Sequence, residues 1–112
     1  MGERTDMRLL VLIARSEAAF DPLVTGLLDV GISGATVVES RGLAAVLRQD
    51  LPIFAGLAAF LPQTTGSRVV ISLCGADRLE ALRAYVAELP PGDRPLAIAL
   101  PVDSFFGLEP TS

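Results

Sequence analysis

Gly31-Ile32-Ser33-Gly34-Ala35-Thr36-Val37-Val38-Glu39-Ser40-Arg41-Gly42 packs a helix stop, a turn, a strand and the start of an irregular loop into twelve residues. Following Leu27-Leu28-Asp29-Val30, Gly31 supplies the left-handed residue that closes a helix, and Gly34 supplies a tight turn. The β-branched run Ala35-Thr36-Val37-Val38 reads as a strand. Beyond it, Arg41-Gly42 opens a segment with no simple period.

Upstream, Leu9-Leu10-Val11-Leu12-Ile13-Ala14 is a continuous apolar run ending at Arg15-Ser16, the pattern of a strand buried on both faces. From Ala18 to Val30 the spacing turns helical, with Phe20, Leu23, Val24, Leu27 and Leu28 on one side. Asp21 and Pro22 mark either the cap and first position of that helix or a disturbed first turn. Downstream, Val69-Val70-Ile71-Ser72-Leu73-Cys74 gives a third strand, and Gly75-Ala76-Asp77 opens a second helix. Its Leu79, Leu82, Val86 and Leu89 face inward, while Arg78, Glu80, Arg83 and Glu88 face water. Pro90-Pro91-Gly92 ends it, and Leu96-Ala97-Ile98-Ala99-Leu100 is the fourth strand. The order β-α-β-β-α-β predicts an α+β, ferredoxin-like fold with a four-stranded antiparallel sheet. Two helices cover one face of such a sheet. Strands one and three are apolar on the other side too, so that face needs a cover, and a symmetric oligomer provides one.

With 112 residues the chain holds one domain, read as 7–112 after a polar, aperiodic tail over 1–6. Apolar residues make up 51% and aromatics 5%, so the core is aliphatic. All nine basic residues are arginine, and thirteen acids bring the net charge to −4, which speaks against a nucleic-acid partner. Cys74 is the single cysteine, too few for an internal disulfide or a thiolate metal site, and reads as a buried thiol. Leu9–Ala14 is too short for a secretory core or a membrane span, so the expected location is cytoplasmic, without membrane insertion.

Leu43 to Gly66 exceeds what the simple fold requires and is not polar enough for a free linker. After Asp50 and Pro52, the residues Ile53, Phe54, Leu57, Phe60 and Leu61 form a helical stripe, predicting a short helix over Pro52–Leu61. That stripe suits first of all packing over the sheet edge or on a neighbouring subunit; a partner-docking or ligand-gated segment is the alternative.

Histidine is absent, which removes Ser-His and Cys-His pairs and the usual neutral-pH base; a non-catalytic role is expected. Small-anion binding has better support. Gly92-Asp93-Arg94 is a glycine-containing loop of the kind whose backbone amides cradle anions, and Arg94 and Arg41 can add charge. As a plain turn, Pro91-Gly92-Asp93-Arg94 needs no ligand.

The Gly31–Gly42 layout resembles the PII-like family of nitrogen-regulatory signal proteins, through Gly31, Ile32, Gly34, Thr36, Val37, Glu39, Arg41 and Gly42. Phe60-Leu61-Pro62 and Leu100-Pro101-Val102-Asp103 are similar to two later motifs of that family. The resemblance implies a homotrimer with sheets facing inward. It also implies a cleft between subunits that holds an adenine nucleotide or another small anion, and a long loop, here Leu43–Gly66, that contacts a target protein. Thr36, Arg41, Gly42, Gly92, Asp93 and Arg94 are the cleft residues on this reading. The chain departs from the pattern where Arg94-Pro95 replaces Gly-Lys, where Ala45-Val46 replaces an Arg-Gln pair, and where Ser104–Leu108 lacks the family's cations. The ligand therefore need not be ATP. The expected function is a regulator sensing a small anionic metabolite. The alternatives are a ligand-free structural or partner-docking oligomer and a small α+β-barrel enzyme.

Overall fold

A computed structural model describes residues 6–40 and 67–107. The elements are β1 (Met7–Ala14), α1 (Glu17–Asp29), β2 (Ala35–Ser40), β3 (Ser67–Gly75), α2 (Ala76–Ala87), a single 3-10 turn (Pro91–Asp93) and β4 (Leu96–Pro101). The strands form one antiparallel sheet in the order β2-β3-β1-β4, so the two apolar runs pair at its centre. This is the α+β, ferredoxin-like arrangement that the element order predicts. Segment 43–66, including the helix expected over Pro52–Leu61, lies outside the described residues, as do Arg41 and Gly42.

Parity decides the layers, because successive side chains of a strand point to opposite faces. Leu10, Leu12 and Ala14 of β1 and Val70 and Cys74 of β3 turn to the helical side, where Leu23 and Leu27 of α1, Leu79 and Leu82 of α2, and Ile32 bury them. Each such side chain contributes about 1.5–3 kcal/mol by leaving water. The intervening Leu9, Val11 and Ile13 pair across the sheet with Leu73, Ile71 and Val69 on one side and with Leu100, Ile98 and Leu96 on the other. Together with Val38 they make the opposite face aliphatic from edge to edge, and Val38, Ile71, Leu96, Ile98 and Leu100 are each at least 40% exposed. Both helices lie on the other face.

Gly31 takes the part read for it. Its φ is +84°, its N–H donates to the Leu28 carbonyl, and the Ile32 N–H donates back to Leu27. Ile32 is buried beside Leu27, so the helix stop and a core contact are one structure, the Schellman arrangement. Gly34 is different: among the described residues only Gly31 and Gly107 have positive φ. Gly34 instead offers its carbonyl to the Ser72 hydroxyl at 2.6 Å, satisfying a buried side chain on the helical face of β3.

Two readings of α1 are corrected. The helix begins at Glu17, because the Ser16 Oγ accepts the Ala19 N–H at 3.1 Å; Pro22 sits inside the helix. The Leu28 side chain, read as inward, is 63% exposed, because Ala19, Leu23, Gly26 and Leu27 form the buried stripe.

At Gly26 the two helices are in close contact. A Cβ there would run into the Tyr85 ring of α2, and the Tyr85 hydroxyl donates to the Pro22 carbonyl at 2.8 Å. Gly26→Ala gains helix propensity but must displace that ring. We expect a net loss of about 1–3 kcal/mol in urea unfolding, most of it recovered when Tyr85 is also replaced by leucine. An additive double mutant would refute the contact.

Candidate functional site

The loop joining α2 to β4 lies at the end of the sheet where β1 passes into α1 and where the chain leaves β2 at Ser40. There, Arg15, Ala19, Pro91, Gly92, Arg94, Pro95 and Leu96 line a groove of about 380 Å³. Two of the residues read as anion-binding, Gly92 and Arg94, thus share a cavity wall. Arg15, to which the sequence pattern gave no binding role, joins them.

The backbone of this loop is largely committed. Pro91–Asp93 form the 3-10 turn, in which the Asp93 N–H donates to Pro90 at 2.8 Å and the Arg94 N–H to Pro91 at 3.3 Å. Pro91 and Pro95 have no N–H to give. The Arg94 side chain reaches back to the C-terminal end of α2, with Nε donating to the Leu89 carbonyl and Nη2 to the Ala87 carbonyl, both at 3.0 Å. These bonds cap carbonyls the helix leaves unpaired. They also hold the guanidinium at the groove with its remaining N–H groups uncommitted to those carbonyls.

Thr36 lies elsewhere. It faces the exposed side of the sheet on the edge strand β2, level with Ile71, whereas Gly92–Arg94 adjoin the opposite edge strand β4. Three strand spacings, roughly 14–15 Å, separate the two edges. One copy of the chain does not bring Thr36 and the Gly92 loop together.

Other chemistry is sparse among the described residues. No group of three or more His, Cys, Asp or Glu side chains has the geometry to hold a metal ion. No helix is long and apolar enough to cross a membrane. A second, mostly apolar groove of about 190 Å³ runs between α2 and β4, where Ala97 and Ala99 leave space beside Leu79, Leu82 and Val86. The Cys74 thiol is fully buried. Burial pushes its pKa up, Asp77 adds to the rise and Arg78 opposes it, so it is held as an unreactive thiol.

The β2-β3-β1-β4 sheet with both helices on one face belongs to the class of PII-like ferredoxin folds. Within that class, PII from Arabidopsis thaliana, solved bound to citrate, superposes with a TM-score of 0.55 at 18% identity, covering 88% of this chain and 76% of that one. CutA1 from Oryza sativa superposes with a TM-score of 0.54 at 16% identity, covering 89% and 83%. At these identities the likeness is one of fold. No protein-family model matches the sequence, and no curated protein matches it significantly.

Because the neutral thiol is the favoured form in the fold, its contribution to stability is full below the ordinary thiol range and is lost as pH rises through the raised value. Iodoacetamide should therefore label Cys74 only through unfolding, with a rate that follows global stability across denaturant concentrations. Rapid labelling of the native protein at neutral pH would contradict the burial.

Proposed function

We propose that the chain is a non-catalytic, PII-like regulatory module that assembles as a homotrimer and senses a small anionic metabolite or nucleotide at clefts between subunits. The observation that carries this reading is the groove whose lining includes two arginines, Arg15 and Arg94, together with Gly92. Guanidinium groups favour carboxylate and phosphate, and citrate on the Arabidopsis PII structure is an anion of that chemistry.

The aliphatic outer face supports an assembly that covers it, and the likeness to PII-like proteins supports a trimer as that assembly. Ten aliphatic side chains spread over four strands make a patch on the order of 300 Å², large for a face left in water. A second copy also resolves the separation of Thr36 from the Gly92 loop, since β2 of one subunit beside β4 of the next would join them. Arg41 and Gly42 follow directly on β2 in sequence and belong to the same proposed cleft, with Asp93 on the facing loop. A ligand that binds one arrangement of this cleft better than another biases the surface presented to a target protein, for which Leu43–Gly66 is the proposed contact. A cytoplasmic location accords with this role.

A second reading has its own observation: the bonds within the 3-10 turn and from Arg94 to the end of α2 satisfy this loop without any ligand. On that reading the chain is a structural or partner-docking oligomer.

Native mass spectrometry and calorimetry with ATP and citrate separate the two. The sensor reading expects a trimer that binds one of these anions saturably, and Arg94→Ala weakening that binding by about 1.5–3 kcal/mol. A trimer that binds neither supports the ligand-free module, and a monomer at micromolar concentration overturns the assembly.

A further inference from the structure

We infer that Arg15 and Arg94 are the two arms of an anion clamp complete within one copy of the chain, and that it takes a compact dianion, a dicarboxylate or a phosphomonoester, rather than a nucleotide. The inference rests on the sensor reading above and gives it a ligand class and a further binding residue.

Charge provides the first argument. Beyond Ile13 opposite Leu96, where the β1–β4 ladder ends, Arg15 and Arg94 line one groove. Like charges held close together repel, and a fold tolerates them where something compensates. Among the described residues the ion pairs are Arg68 with Glu17 and Arg83 with Glu80, so neither Arg15 nor Arg94 is neutralised by a carboxylate. Acids are not scarce, for the chain carries thirteen against nine arginines. Among the described residues the groove keeps two arginines together and pairs neither with an acid.

Preorganisation is the second argument. The bonds from Arg94 to the carbonyls of Ala87 and Leu89 fix one guanidinium before any ligand arrives, which lowers the ordering cost of binding. The mouth beside Gly92 is open, since a Cβ built there would meet nothing within 4 Å.

The walls decide the ligand class. Apart from the two arginines and Gly92, the described residues that line the groove are Ala19, Pro91, Pro95 and Leu96. These present a small apolar surface with no aromatic ring on which a base would stack and no side-chain amide or hydroxyl to read its edge. Two guanidinium groups over such a floor match two closely spaced negative charges on a small carbon frame, or one phosphate.

The test is isothermal titration of the full chain with succinate, with inorganic phosphate and with ATP, in the wild type, Arg15→Gln and Arg83→Gln. Arg83→Gln removes the same charge from the exposed face of α2 as a control. The clamp predicts one succinate or phosphate per chain, weakened about tenfold or more in Arg15→Gln and unchanged in Arg83→Gln. Succinate in preference to phosphate assigns a carboxylate ligand, and the reverse a phosphate ester. Binding that Arg15→Gln leaves intact, or that ATP alone achieves, overturns the clamp while leaving the sensor reading standing. Binding of none of the three overturns both. Should Arg15→Gln fail to fold, phenylglyoxal modification of the wild type, read by peptide mass, decides the same point: protection of Arg15 by succinate or phosphate supports the clamp, and unprotected modification refutes it.

Discussion

Pairing β1 with β3 at the centre of the sheet is the constraint on which the rest of this structure depends. Both strands are apolar at nearly every position, so their alternation creates two aliphatic surfaces, whereas two amphipathic helices supply material to bury one. Every larger feature answers that imbalance. Leu23, Leu27, Leu79 and Leu82 close one side within the chain. The other side, from Val38 across to Leu96, Ile98 and Leu100, is left for contact beyond it. Stability and the proposed assembly are thus posed by the same residues: a polar substitution on the outer face would relieve the exposed patch and remove the reason to associate.

The edge strands follow from the same geometry. Because β2 and β4 lie at opposite margins, the end of β2 at Ser40 and the loop before β4 share one end of the sheet yet stand apart across its width. A site assembled from both margins is intermolecular by construction. One assembled from the β1–α1 junction and the loop before β4 is local. The two proposed sites would be neighbours rather than rivals, since Arg94 would belong to each.

Much of this fold is legible in the sequence because it is written in short-range patterns. The apolar runs of β1 and β3, the β-branched Ala35–Val38 and the stop at Gly31 depend on residues a few positions apart, and each takes its expected place. What misleads is whatever depends on a distant partner or on competing local signals. Pro22 draws attention as a helix start, while Ser16, an ordinary serine after a strand, forms the cap. Leu28 fits a helical stripe, but the stripe that wins centres on Gly26, whose value appears only once Tyr85 lies over it. The candidate site divides in the same way. Gly92 and Arg94 advertise themselves as a glycine loop with a cation, whereas Arg15 is recognisable only when the fold sets it in the same groove.

Neither helix carries a basic residue in its own last turn; the cation that favours a helix C-terminus reaches each from elsewhere. Arg78 of α2 donates to the carbonyls of Val30 and Gly31 at the end of α1, and Arg94, just before β4, does the same at the end of α2. Each helix end is therefore tied to a later element, α1 to α2 and α2 to the lead into β4. Fraying, ordinarily the cheapest local motion of a helix, here costs contacts in a second element: α1 loosens at its end only by releasing α2, and α2 only by releasing the approach to β4. Opening of α1, α2 and the lead into β4 is thereby coupled, and a ligand that grips Arg94 pulls on the last link of that chain.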